Sequence, residues 1–127
     1  MIVIDASATV SALLNVGPAR AALSSEVLHA PHLIDTEVAN ALRRQVAARR
    51  IQATAGWAAL ATLGQLGMAR HPSVGLLERI WELRENVSSY DASYVALAEA
   101  LGCGLLTADA RLSQAPGLRC PVTVVPR

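Results

Sequence analysis

Residues 105–112 read LLTADARL. Two leucines run through Thr107 and Ala108 into Asp109, and Arg111 follows two residues later. A short apolar run of this kind reads as a buried strand. Its end on a carboxylate is open between a turn residue paired with Arg111 and one wall of a cation site. The N-terminus carries the same pattern, because the β-branched run Ile2-Val3-Ile4 ends at Asp5. If both runs are strands of one sheet, both acids leave it at the same edge, and the rest of the chain has to supply the helices between them.

The intervening sequence supplies them. Ser7 is placed to cap a helix through Leu14, and Gly17-Pro18 breaks it before a short helix over 19–24. Residues 27–30 read as a strand stopped by Pro31. From Asp35, Val38, Ala41, Leu42 and Val46 recur at spacings of three and four, which predicts a helix capped by Asp35 and reaching residue 50 or 51. An Ala-rich helix is expected over 54–66, a short strand over 68–70, and a helix carrying Leu76, Leu77, Ile80, Trp81 and Arg84. Tyr94, Leu97, Ala98 and Leu101 form a further stripe ended by Gly102, and 122–125 is a last strand. Strands alternating with helices imply crossover connections and a mainly parallel sheet, an α/β fold.

Composition sets limits on what such a fold does. A chain of 127 residues makes one domain with one core. With 53% hydrophobic and 17% charged residues it folds, and with so few aromatics the core is aliphatic. A net charge of +1 excludes a nucleic-acid binder living on bulk charge alone. All 11 basic residues are arginine, which excludes every mechanism that needs a lysine. Cys103 and Cys120 match no zinc or redox spacing and are expected as buried small hydrophobes. No apolar run approaches the roughly 18 residues of a membrane span, and no signal peptide is recognised. A soluble cytoplasmic protein is the expectation.

In a parallel sheet, strand C-termini and the N-termini of the following helices share one edge, where ligand sites collect. Asp5 and Asp109 end strands there. Glu37 falls in the first turn of one helix and Asp91 in the first turn of another. Each has an ordinary reading: Asp5 as a cap, Glu37 as a first-turn acid favoured by the helix dipole, Asp91 within a capping pattern beginning at Ser88, Asp109 as a turn residue. Their joint placement favours a site. Clustered carboxylates repel and call for a cation, and an all-oxygen cluster suits Mg²⁺ or Mn²⁺. Such ions activate water and clamp phosphate. His29, His32 and His71 lack paired metal-ligand spacing and read as packing or surface residues. A phospho-accepting receiver site is excluded by the missing lysine. No P-loop and no G-x-S-x-G elbow is present.

Four stretches, MIVIDAS at the start, LIDTEVANALRR from Leu33, YDASYVALAE from Tyr90 and LLTADARL, resemble in order and separation the motifs of PIN-domain ribonucleases. They look most like the VapC toxins of bacterial and archaeal toxin–antitoxin pairs. The resemblance spans the whole chain as a single PIN domain, residues 1–127, although residues 52–87 match only in helical character. It implies a PIN-like three-layer α/β/α sandwich and endonucleolytic cleavage of structured RNA with a divalent metal, Mg²⁺ or Mn²⁺. Carried over by motif, Asp5, Glu37, Asp91 and Asp109 are the catalytic acids, with Asp5, Asp91 and Asp109 holding metal. Ser7, Thr107 and Asn40 occupy supporting positions. A homodimer and a small VapB antitoxin are the implied partners.

Arg111, Arg43, Arg44, Arg49 and Arg50 are candidates for substrate phosphate. For each helix arginine taken singly a solvated face is the favoured reading; Arg111, nearer the site by sequence, is the first candidate and is equally placed to brace a carboxylate. Too few aromatics are present for a base-stacking platform, which favours a folded RNA recognised by shape. Trp57, Leu60, Leu63, Trp81 and the Leu13-Leu14 pair are expected mostly in the core. The rival readings are a metal-dependent DNA nuclease or phosphatase using the same acids, and a non-catalytic PIN-like binding module.

Overall fold

A computed structural model describes residues 1–127. Five strands, β1 (Ile2–Ile4), β2 (Leu28–Pro31), β3 (Ala69–His71), β4 (Gly104–Thr107) and β5 (Val122–Val124), form one sheet in the order β3-β2-β1-β4-β5. Every pairing is parallel. Helices α1 (Ala6–Leu14), α2 (Pro18–Ser25), α3 (Ile34–Ala47) and α4 (Ala53–Gln65) carry the first two crossovers. They pack on one another. A 3₁₀ turn (Val74–Leu76), α5 (Leu77–Glu82) and α6 (Ser89–Leu101) carry the third, and α7 (Ala110–Ser113) leads to β5. Parallel crossovers are right-handed. Those running from β1 to β3 therefore lie on one face, and α6, which crosses β1, β2 and β4, lies on the other. The expected three-layer α/β/α sandwich is the observed architecture.

The central strands are buried on both faces, with Val3, Ile4, Leu105 and Thr107 fully enclosed, which is why they read as unbroken apolar runs. Helix α6 is buried from Ala92 through Ala98. It ends at Gly102, whose left-handed φ of 67° suits glycine because no Cβ clashes there.

Several local expectations are corrected. Asp5, not Ser7, caps α1, its side chain accepting from the Ala8 amide. Pro31 belongs to β2: it pairs with His71 and closes the strand from within. Asp35 is not the cap of α3, because the chain turns straight from β2 into a helix that begins at Ile34. The Asp35 carboxylate is gripped instead by the Arg70 guanidinium from β3, at 2.7 and 2.8 Å. Helix α3 ends at Ala47, and Arg49 adopts a positive φ of 59° in the turn that follows. Trp57 and Trp81 lie on the outside of α4 and α5, each 68% exposed. The aliphatic core closes without them. Leu63 is buried, while Leu13, Leu14 and Leu60 pack at its margin. Cys103 and Cys120 are half-buried free thiols, and burial pushes the Cys120 thiol up to about 11.

Candidate active site

The strand order creates the site. From β1 the chain crosses to β2 on one side, and from β4 it crosses to β5 on the other. Neighbouring strands whose connections leave in opposite directions open a crevice beyond their C-terminal ends. Asp5 follows β1 directly, and Asp109 follows β4 after Ala108. Helix α3 starts after β2 and brings Glu37 to the same edge, while α6 runs back against the strands and starts there with Asp91. Asp5, Glu37, Asp91 and Asp109 line one cavity of about 620 Å³, with Ser7 and Asn40 in its wall.

Hydroxyls fasten the two strand ends together. Asp5 is 5% exposed. Its Oδ1 accepts from Ser7 Oγ at 2.7 Å and from the Ala8 amide at 2.9 Å, and its Oδ2 accepts from Thr107 Oγ1 at 2.5 Å. Ser7 Oγ in turn accepts from the Ala108 amide, and Thr107 Oγ1 from the Asp109 amide. One short network thus locks the Asp5 side chain and orients the loop that carries Asp109. At α6, Ser88 Oγ accepts from the Asp91 amide at 3.1 Å, a cap that fixes the first turn.

The electrostatics divide the acids. Burial raises the Asp5 carboxyl above its ordinary value, against the lowering effect of its hydrogen bonds, and Asp109 raises it further. Burial also raises Glu37, opposed by a hydrogen bond from Tyr94 and reinforced by Asp91 and Asp5. Asp91 is raised by burial and then by the charges of Asp5 and Asp109. Asp109 alone is lowered, by the Arg111 guanidinium. Three half-sequestered carboxylates that disfavour one another's charge form a cation-attracting cavity. Its donors are all oxygen, the set a hard divalent ion takes. No three carboxylate, imidazole or thiol groups converge closely enough to hold an ion by themselves. The residues present could hold an ion only with water completing its shell.

The arginines sort by position. Arg111 is braced on Asp109, donating to both oxygens at 3.1 and 3.0 Å, with its side chain 89% exposed. Arg44 lines the cavity, and so does Arg50. Arg43 is not part of the lining but donates to the wall residue Asn40, to its Oδ1 at 3.0 Å, and Arg49 is exposed outside the cavity. Several cavity residues escape a reading of the sequence, Tyr94, Arg127, Asn15 and Gln45 among them. Tyr94, 2% exposed, donates its hydroxyl to Glu37 Oε1 at 2.7 Å. Its place three residues after Asp91, on the same helix face, was a usable signal that its apolar stripe concealed. Arg127 reaches the wall from the C-terminal end of the chain, and no spacing announces that. His29 and His71 meet across β2 and β3, ring nitrogen to ring nitrogen at 2.9 Å, away from the cavity. Only the strand pairing joins them.

The family model of the PIN domain matches residues 2–118. The VapC ribonuclease Mb0985 of Mycobacterium bovis and the ribonuclease VapC9 of Mycobacterium tuberculosis are each 58% identical to this chain over 127 residues, the full length of both partners. The ribonuclease VapC1 of M. tuberculosis is 47% identical over 97% of this chain and 96% of its own. Among solved structures, PAE2754 of Pyrobaculum aerophilum superposes with a TM-score of 0.73 at 25% identity, covering 95% of this chain and 81% of its own. M. tuberculosis VapC20, described as a toxin cleaving the sarcin–ricin loop, has the same fold at a TM-score of 0.66 and 22% identity, over 90% and 94% of the two chains. With a family model covering nearly its whole length and VapC relatives aligned from end to end, the chain belongs to the PIN-domain family.

Proposed function

We propose that residues 1–127 act as one PIN domain, a Mg²⁺- or Mn²⁺-dependent endoribonuclease that is the toxin of a type II toxin–antitoxin pair. Its relatives over the full length are named VapC ribonucleases. The observation that carries the reading is the convergence of Asp5, Glu37, Asp91 and Asp109 on one cavity at the topological switch point of the sheet. The proposed substrate is a structured tRNA, rRNA or mRNA, whose cleavage inhibits translation and growth. The partners are a VapB-type antitoxin and a second copy of the chain, and the setting is the cytoplasm. No helix is long and apolar enough to cross a membrane.

Asp5, Asp91 and Asp109 are the metal-holding residues, directly or through water. A divalent ion held there would supply an activated water and charge neutralisation for the phosphate. Glu37, fixed by the Tyr94 hydroxyl, is the residue placed to orient an attacking water and accept its proton. Thr107 and Ser7 fix Asp5, and Asn40 extends the polar wall. Arg111 stands at the rim, where releasing Asp109 frees a guanidinium for phosphate. In-line attack breaks the P–O3′ bond and leaves a 5′-phosphate and a 3′-hydroxyl. Cleavage of RNA is tested with Mg²⁺, with EDTA, and with Asp91→Asn. Activity confined to the first condition is expected, and equal cleavage in all three would overturn the reading. Duplex DNA and a phosphate monoester in the same assay separate the nuclease and phosphatase alternatives.

A further inference from the structure

The four acids occupy only one end of the cavity. The remainder extends along the groove between α1 and α3. Val10, Leu14, Ala41 and Ala48 contribute its apolar lining, and Asn15, Gln45, Arg44 and Arg50 its polar lining. Arg44 lies seven residues after Glu37 on α3, about 10 Å along the helix at ~1.5 Å per residue. The Asn15 and Gln45 side-chain amides are engaged by no other residue, and neither is fully buried. Arg44 and Arg50 likewise make no ion pair within the chain, whereas Arg70, Arg79 and Arg111 are all committed to carboxylates. With Arg127, which also lines the cavity, they are the arginines that face it without a carboxylate partner.

Resting on the ribonuclease reading above, we propose that this outer half of the cavity is a subsite for a nucleotide flanking the cleavage position. Arg44 and Arg50 hold its phosphate, and the Asn15 and Gln45 amides read its base edge. A carboxamide offers a donor and an acceptor together, which matches the edge of an unstacked base. The apolar lining accepts the base face. The two guanidiniums supply positive charge one nucleotide or more from an acidic centre that would otherwise repel the strand. Arg43 and Arg49 on the same segment lie outside the cavity and take no part.

Steady-state cleavage of a short RNA by the full chain tests the phosphate contacts. Arg44→Ala/Arg50→Ala is expected to raise KM about tenfold with kcat unchanged. Its log–log salt slope is expected to fall by about 0.7, the value for one single-strand phosphate no longer neutralised. Arg84→Ala, which removes a surface charge far from the cavity, leaves both unchanged. An RNA carrying a neutral methylphosphonate at the flanking phosphate is cut equally by the wild type and by the double variant. Base reading is tested by sequencing cleaved ends from a randomised RNA pool. Asn15→Ala/Gln45→Ala is expected to lose about tenfold preference at one position beside the cut while the cleavage chemistry persists. Unaltered KM and salt slope in the arginine variant, or unaltered base preference in the amide variant, would overturn the subsite. Failure of the wild type to cut any RNA would overturn the ribonuclease reading instead.

Discussion

At Asp91 the fold keeps a carboxyl above its ordinary value of 3.8, through burial and the charges of Asp5 and Asp109. The folded protein therefore holds that proton to higher pH than the unfolded chain does. Between the two pKa values the folded state binds more protons, so stability falls as pH rises through that window and stays lower above it. Asp91→Asn, which removes the charge, is expected to raise Tm at neutral pH while abolishing cleavage. The gap between variant and wild type closes as pH falls below the ordinary carboxylate range, which a pH series of thermal melts without metal reads directly. Tyr94 acts through Glu37. Tyr94→Phe keeps the buried ring and deletes only the hydroxyl, so kcat is expected to fall about tenfold, the scale of lost outer-shell contacts. The same change made on top of Glu37→Gln should have no further effect, whereas a packing defect would persist. Thr107→Val removes a donor from a carboxylate with almost no access to water. A loss of about 1–3 kcal/mol is expected in urea unfolding, the penalty for an unsatisfied buried group.

Elements here end where the site needs a side chain. β1 gives way at Asp5, which both caps α1 and faces the cavity, so one residue stops a strand, starts a helix and supplies a carboxylate. The same economy holds at Asp109, the cap of α7. This is why each acid, read singly, is indistinguishable from a capping residue: the physical chemistry of a helix N-terminus and of a cation site both ask for an oxygen. The other end of α6 shows the purely structural case. Gly102 terminates it in the left-handed region with no atom crowding its Cβ position, so Gly102→Ala is expected to cost about 1–2 kcal/mol from backbone strain alone, measured by denaturant unfolding, with activity retained. Helix ends were the least legible part of the sequence. Asp35 carries the chemistry of a cap, yet Arg70 on a distant strand claims it, and only the pairing of β2 with β3 puts Arg70 within reach.

For the whole molecule, the crevice exists because β1 and β4 are neighbours although most of the chain separates them. Mutual repulsion among its carboxylates means that a cation bound there would stabilise the fold. Added Mg²⁺ or Mn²⁺ is expected to raise Tm, approaching about 2.7 kcal/mol of stabilisation at a hundredfold excess over Kd. EDTA should reverse the shift, and Asp5→Asn should suppress it. A thermal melt reads this independently of cleavage.

The sequence by itself determined the parallel α/β architecture, the four acids and the hydroxyls beside them. Strand and helix periodicities are local, and the acids sit at fixed offsets from the elements they end. It could not determine which long-range partners those side chains would meet. That Tyr94 donates to Glu37, that Arg70 claims Asp35, that Arg44 and Arg50 face the cavity while Arg43 does not, and that both tryptophans lie outside the core were decided by tertiary structure alone. Each depends on a crossover's hand, a helix's rotation against its neighbours or the pairing of distant strands, and none of these leaves a periodic trace in the residues concerned.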